Sequence, residues 1–282
     1  MSVGVSPFEI ESGAGIAGLR AAGLLRLEAE RGGGQTFAAE IDEQGPLRVR
    51  FPRIAAEGVL EGVIVNTGGG IVGGDTLRFE IEAGEGTSIA LTSQASEKIY
   101  RSAGADATVD IVLRAAPKSS LAWVPQESIL FDRARVLRTI EADVAGDATL
   151  TICESVVFGR AAMGETVVSG KLKDHWRIRR DGKLVFADAV TLDGEIGATL
   201  GRPAIARGSI AAGTIVQLAP DAESKIDPVR AALEHDGVEA GASAFDGLIV
   251  IRILAQDSLS LRAAILATLS ALGAEPPRAF CL

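Results

Sequence analysis

Along most of the chain, hydrophobic and polar residues alternate with a period of two, the pattern of β-strands that bury one face. Leu77, Phe79 and Ile81, for example, alternate with one arginine and two glutamates. Three consecutive glycines at 32–34 separate two such segments, which predicts a hairpin. The predicted strands lie at residues 25–30, 36–41, 47–51, 77–82, 87–92, 108–113, 136–144, 149–158, 176–180, 183–190, 209–218 and 248–254.

Two segments near the carboxy-terminal end instead carry apolar residues at helical spacing. After Ser258, a candidate N-cap, the spacing predicts a helix over 259–272, and a shorter helix is predicted at 226–236 with Pro228 at its first position. Strands that precede helices without βα alternation favour a mainly antiparallel β or an α+β domain. Because no linker divides the chain, we expect one mainly β domain over residues 1–282, built of stacked antiparallel or mixed sheets with about two late helices.

The amino-acid composition argues against several classes of binding partner and cellular location. Glycine is the outlier, with 33 glycines against 10 prolines, as a protein with many tight turns requires. The net charge of -9 opposes binding to nucleic acid or to an anionic membrane surface. No apolar run approaches the roughly 20 residues that cross a bilayer, and the amino terminus lacks a signal-peptide pattern. With only Cys153 and Cys281, far apart, no disulfide framework is indicated, so we expect a cytoplasmic protein.

Histidine and cysteine are too scarce for a high-affinity transition-metal site. His175 and His235 lie in separate segments without a second ligand at helical spacing, so any metal contact would use carboxylates and water. We therefore predict no tight metal site and no tightly bound cofactor. Residues 13–18 match GxGxxG, but they lack the strand and helix of a dinucleotide-binding unit, and we interpret the match as accidental.

Glu154 is the acidic residue that the pattern places in the core, because alternation over 149–158 puts it on the apolar face of a strand. An unpaired carboxylate there would be costly. It therefore requires either a water-filled passage or a cationic partner, for which Lys98, Arg101 and Arg160 are candidates. A structural ion pair and direct handling of a metal ion both remain open.

The segment 66–75 (NTGGGIVGGD) contains five glycines. It lacks the Gly-Lys-Ser/Thr of a phosphate-binding loop and leads into a strand, so we do not predict a nucleotide site. Two interpretations remain open. The segment is either a set of turns in which Asp75 bonds to nearby amides, or a surface for a partner.

Four blocks of sequence, taken in order, resemble the urease accessory protein D (UreD/UreH) family. Residues 66–77 (NTGGGIVGGDTL) are similar to its glycine signature, and residues 91–102 (LTSQASEKIYRS) to its TTQA-x-x-KIYRS block. Residues 123–132 (WVPQESILFD) and 154–165 (ESVVFGRAAMGE) are similar to its W-x-PQE and E-x-x-x-x-GR-x-A-x-GE blocks. The resemblance is dense over 66–176 and looser towards both ends.

The resemblance implies a helix-like stack of strands and a chaperone of urease maturation rather than an enzyme. It implies docking on apo-urease and on accessory proteins F and G, with GTP bound by the G protein and Ni²⁺ passing transiently through an internal water-filled path. Our hypothesis is that the acids lining or supporting this path include Asp75, Glu127, Asp132, Glu154 and Glu165.

The same blocks contain aromatic and cationic residues of the kind that anchor interfaces. These candidates are Lys98, Tyr100, Arg101, Trp123, Gln126, Phe131 and Arg160. Trp123 and Phe131 could equally be core residues. Two rival interpretations are a β-rich hydrolase that uses Glu154 and Glu165 as acid and base, and a purely structural scaffold without an ion path.

Overall fold

The computed structural model describes residues 20–52, 58–160 and 163–281. The GxGxxG segment at 13–18 lies outside the described residues. Within them the strands are β1 (Ala22–Gly32), β2 (Gln35–Gln44), β3 (Leu47–Arg50), β4 (Leu60–Asn66), β5 (Thr76–Ala83), β6 (Ser88–Ser93), β7 (Glu97–Ile99), β8 (Ala107–Ala115), β9 (Ser120–Trp123), β10 (Ser128–Leu130), β11 (Arg135–Val144), β12 (Thr149–Phe158), β13 (Gly170–Arg180), β14 (Lys183–Gly194), β15 (Ala211–Leu218), β16 (Val238–Phe245) and β17 (Leu248–Ala255). The helices are α1 (Ile196–Leu200), α2 (Ile226–Ala232) and α3 (Ser258–Ala271).

The strands form two sheets that face each other. One has seven strands in the order β14-β13-β11-β8-β5-β1-β2, and the other has ten, with β16-β17-β15-β12-β9-β6-β4-β3 as its main path. The predicted hairpin at 25–41 is confirmed, since β1 and β2 pair antiparallel. Gly33 and Gly34 form its turn at φ values of 58° and 83°, which other residues adopt with strain. The mainly β prediction with two late helices is also confirmed.

The central part of the chain winds as a coil between the sheets. From β4 to β13 the chain crosses repeatedly from one sheet to the other, so strands of successive turns stack in parallel. Thr76 pairs with Thr108, Thr108 with Leu137, and Leu137 with Lys173, so successive turns advance by 32, 29 and 36 residues. Short strands β7 and β10 add a third side, where β10 pairs in parallel with both β7 and the end of β12. The result is a β-helix-like stack.

The sheets are mixed, which is one of the two arrangements expected, and they are not mainly antiparallel. Nine of the fifteen strand pairings among the described residues are parallel. Antiparallel pairs occur at the two ends of the stack, where hairpins such as β1–β2 and β13–β14 close it. The physical reason is that a chain coiling between two sheets returns to each sheet in the same direction.

The main core fills the space between the sheets, and a second apolar layer covers the outer face of the ten-stranded sheet. There α3 packs Leu261, Ile265 and Leu269 against β15 and β17. Strand β12 is therefore buried on both faces after its first residue, whereas alternation predicted one exposed face.

The helix boundaries also differ from the prediction. Asp257, and not Ser258, is the N-cap of α3, because its carboxylate accepts a hydrogen bond from the Ser260 N–H. Helix α2 begins at Ile226, where the predicted range 226–236 begins, so Pro228 is its third residue and not its first, and the helix ends earlier, at Ala232. The short helix α1 and strand β4 carry too few periodic residues to be predicted.

Candidate functional site

A cavity of about 210 Å³ lies between the two sheets. At one end it is lined by exposed residues of the glycine-rich loop and of the segment after β6, including Gly69, Gln94 and Ala95. We call this end the mouth. At the other end Trp123 and Arg138 contribute to the wall, together with apolar side chains of both sheets. The cavity therefore has room for several water molecules.

A group of three charged residues lies at the inner end of the cavity, in which Arg138 and Glu154 are buried and Asp174 is half-buried. Arg138 on β11 forms ion pairs with Glu154 on β12 and with Asp174 on β13, and thereby joins the two sheets. The indole N–H of Trp123 donates to Glu154 Oε1 at 2.8 Å, and that of Trp176 donates to Asp174 Oδ1 at 2.8 Å. We call Arg138, Glu154 and Asp174 the buried triad.

Burial and charge act in opposite directions on the triad. Burial lowers the pKa of Arg138, but Asp174 and Glu154 outweigh it, so the net pKa is raised and the guanidinium keeps its charge. Burial raises the pKa of Glu154, and Arg138 opposes this change. The triad therefore brings two carboxyl groups to one guanidinium at the inner end of the cavity.

The cation that pairs with Glu154 is not one of the three residues expected from the sequence. None of Lys98, Arg101 and Arg160 pairs with it, and the cation is Arg138. A signal for this existed, because alternation in β11 places Arg138 between Val136 and Ile140 on the inward face. The same alternation in β13 places Asp174 inward. The sequence could not show that Arg138 meets Glu154, because these two residues belong to opposite sheets, or that β11 and β13 are neighbours in one sheet.

Glu97 is a second carboxylate of the cavity, and the sequence analysis missed it. It is half-buried on β7 and shares the inward face with the buried Ile99. The side-chain amide of Asn66 donates to both of its oxygens, at 3.2 and 3.1 Å. Burial raises the pKa of Glu97 to about 7, although hydrogen bonds from Asn66 and the Lys98 backbone oppose the rise.

The glycine-rich loop forms turns beside the mouth. Asp75 accepts hydrogen bonds from the backbone N–H of Ala21 at 2.8 Å and of Val72 at 2.9 Å, the amide contacts that the sequence suggested. Gly70 has a φ of 146°, and a Cβ there would lie 2.3 Å from the Tyr100 ring. A side chain at this position would therefore displace the ring that covers the loop.

Glu127 and Gln126 connect the mouth to the carboxy-terminal segment. The Ser96 hydroxyl donates to Glu127 at 2.7 Å, and Arg262 pairs with the same carboxylate at 3.3 Å. Gln126 is buried and donates to the Ala279 carbonyl at 3.0 Å. Of these two residues, only Gln126 lines the cavity.

Asp132 and Glu165 stabilise the loop that precedes β13. Asp132 accepts hydrogen bonds from the N–H groups of Val168 at 2.9 Å and Ser169 at 3.0 Å. Glu165 pairs with Arg160. Neither acid lines the cavity. Of the five predicted acids, only Glu154 thus lies in the cavity wall. The other four bind backbone amides or side chains outside the cavity lining.

The predicted interface residues divide into surface and interior groups. Phe131 is buried, with the Tyr100 ring edge-on at 5.0 Å and the Arg160 guanidinium over its face at 4.2 Å. Trp123 is buried and packs edge-on against Phe79 at 5.4 Å. Lys98, Arg101 and Arg160 are exposed and Tyr100 is half-buried, so these side chains reach the surface near the mouth.

Two further findings concern the chemistry of the described residues. No three His, Cys, Asp or Glu side chains among them are grouped as ligands for one metal ion. In the same part of the chain, no helix has both the length and the apolar character needed to cross a membrane.

Comparison with known proteins agrees with the resemblance seen in the sequence. The family described as UreD urease accessory protein matches residues 21–279. The urease accessory protein UreD of Rhodopseudomonas palustris (strain BisB18) is 46% identical over 275 residues, covering 97% of this chain and 99% of the relative. That of strain HaA2 is 49% identical over 253 residues, covering 90% of each protein, and that of Methylobacterium sp. (strain 4-46) is 48% identical over 237 residues, covering 82% and 84%. The chain belongs to the UreD urease accessory protein family.

Proposed function

We propose that this chain acts in urease maturation as a non-catalytic cytoplasmic chaperone. In this role it docks on apo-urease together with accessory proteins F and G and assists the insertion of Ni²⁺ into the urease active site. Family membership and the names of its relatives support the role in urease maturation. GTP is bound by the partner protein G, and this chain holds no cofactor tightly.

The observation that carries the ion-path part of the proposal is the cavity with a carboxylate at each end. Glu97 lies at the mouth, and Glu154 with its triad partners lies at the inner end. Oxygen ligands and water exchange readily around Ni²⁺, whereas a site of several imidazoles or thiolates would retain it. A cavity of this composition therefore suits an ion in transit.

The four other predicted acids support the path from outside in this proposal. Asp75 fixes the glycine-rich loop beside the mouth, and Glu127 fixes Ser96 on the opposite side. Asp132 and Glu165 hold the loop before β13. Each acid is bonded to backbone, a hydroxyl or an arginine, which suits a positioning role.

We assign partner docking to the surface beside the mouth. Tyr100 and Arg160 contact the buried Phe131 there, and Lys98 and Arg101 add exposed cationic groups. Aromatic and arginine side chains are the residue types that most often dominate binding energy. A partner bound here would adjoin the opening through which an ion enters the cavity.

A carboxylate-dependent hydrolase is the second candidate, and the geometry favours it less. Such an enzyme needs an acid and a base on either side of one substrate bond. Glu154 lines the cavity, whereas Glu165 pairs with the exposed Arg160 outside it. These two carboxylates therefore do not face a common space.

The test is co-expression of a urease operon with wild-type or variant chains. Glu154→Gln keeps the size of the side chain and its bond with Trp123 but removes the charge, so we expect normal complex formation with reduced nickel content and urease activity. Glu80→Gln is the matched control, because Glu80 pairs with Arg26 and Arg78 and does not line the cavity. Wild-type nickel content with Glu154→Gln would contradict the ion path, and failure of the whole chain to bind urease would contradict the chaperone role.

A further inference from the structure

Glu97 differs from Glu154, Glu127 and Glu165 in forming no ion pair among the described residues. Glu154 pairs with Arg138, Glu127 with Arg262, and Glu165 with Arg160. Glu97 forms no ion pair with any residue that the structure describes, and its side-chain partner is the neutral amide of Asn66.

The surroundings of Glu97 direct its charge into the cavity. It points inward with Ile99, while the side chain of the intervening Lys98 is exposed. Lys98 also contributes to the lining of the cavity, but it forms no ion pair with Glu97. Asn66 donates to both carboxylate oxygens from one side and so fixes the orientation of the group. The remaining lone pairs of the carboxylate are free to accept from water or a cation in the cavity.

A carboxylate removed from bulk water without a counter-ion has two ways to lower its free energy. It can bind a proton, or it can bind a cation from solution. A divalent cation at the mouth would supply the missing positive charge.

We propose that Glu97 is the first protein ligand of a hydrated divalent cation at the mouth of the cavity. The inference rests on the proposed ion path and adds to it the residue that admits the ion. Among the described residues, no three His, Cys, Asp or Glu side chains come together to bind one ion. The ion therefore keeps most of the water molecules of its hydration shell. Its affinity is correspondingly weak, and it can move on towards the triad.

The test measures Ni²⁺ binding to the full chain at pH 8 by equilibrium dialysis. Because Glu97 supplies the charged ligand of the proposed site, we expect Glu97→Gln to weaken binding about tenfold. Glu97→Asp keeps the charge and should retain most of the affinity. Glu80→Gln removes an acid outside the cavity and should bind as the wild type does.

A second measurement locates the ion in the cavity. Trp123 lines the cavity and Trp176 is the other tryptophan of the chain, so a Trp176→Phe background makes Trp123 the sole tryptophan reporter. Ni²⁺ should quench its fluorescence, and Glu97→Gln in this background should shift the quenching midpoint about tenfold upward, in line with the dialysis.

The outcomes separate this inference from the proposed function. Equal binding and quenching by wild type and Glu97→Gln would overturn the role of Glu97. If Glu154→Gln still lowered the nickel content of urease in that case, the path would stand without this mouth ligand. If neither variant altered the nickel content, the path itself would be refuted. Selective loss with Glu97→Gln and rescue with Glu97→Asp would support the inference.

Discussion

Replacing Glu97 by glutamine should change how the stability of the protein depends on pH. The pKa of Glu97 rises from 4.5 to about 7 in the folded protein, chiefly because the carboxyl group is buried. Each tenfold change in a proton-binding constant corresponds to about 1.4 kcal/mol, so ionisation of this group in the folded state costs about 3 kcal/mol.

The sign follows from the direction of the change. Because the folded protein binds this proton more tightly than the unfolded chain does, the group contributes its full stabilisation below pH 4.5. That contribution is lost as the pH rises to about 7 and is absent above it. Glutamine cannot ionise and keeps its bond with Asn66. We therefore subtract the free energy of unfolding of the wild type from that of Glu97→Gln. This difference should rise by about 3 kcal/mol, in favour of the variant, as the pH is raised from 4.5 to 8.

The assay is urea denaturation of both proteins across this pH range in metal-free buffer. Subtraction of the two curves removes the contribution of all other titrating groups, which the proteins share. If the free energies of unfolding of the two proteins differed by the same amount from pH 4.5 to pH 8, the reasoning would be refuted. Addition of Ni²⁺ at pH 8 should raise the stability of the wild type more than that of the variant, because an ion that binds the folded state stabilises it.

The remaining predictions concern the buried triad and the glycine-rich loop. Arg138→Met leaves the buried Glu154 and the half-buried Asp174 without their cation and should lower the free energy of unfolding by about 3–5 kcal/mol. The triple change with Glu154→Gln and Asp174→Asn should recover most of that loss in urea denaturation. Gly70→Ala should destabilise the protein more than Gly104→Ala, since both glycines have φ near 145° but only Gly70 is crowded. Equal unfolding midpoints for the two alanine variants would contradict the proposed close packing.

The strands could be predicted because alternation is a local property. Segments such as Val136–Val144 reveal a buried face whatever strand lies beside them. Direction and order of pairing could not be predicted, because alternation is the same in parallel and antiparallel strands. The turns of the coil also differ in length, from 29 to 36 residues, so they leave no fixed period in the sequence.

The candidate site could be predicted only in part, for a similar reason. The position of Glu154 within an apolar stretch identified it as a buried acid. Its cation, Arg138, was visible as an inward-facing residue of another strand, but the contact forms only when the two sheets face each other. Glu97 lies in a strand of three residues, too short for alternation to reveal its orientation.

The coiled arrangement has a kinetic consequence. Each parallel pair in its centre joins segments about 30 residues apart, so the chain must close a loop of that length before any hydrogen bond of the pair forms. Topologies dominated by such distant pairs fold slowly and expose unpaired strand edges on the way. Newly synthesised chains should therefore pass through an aggregation-prone stage, and slower synthesis at low temperature should raise the yield of folded protein.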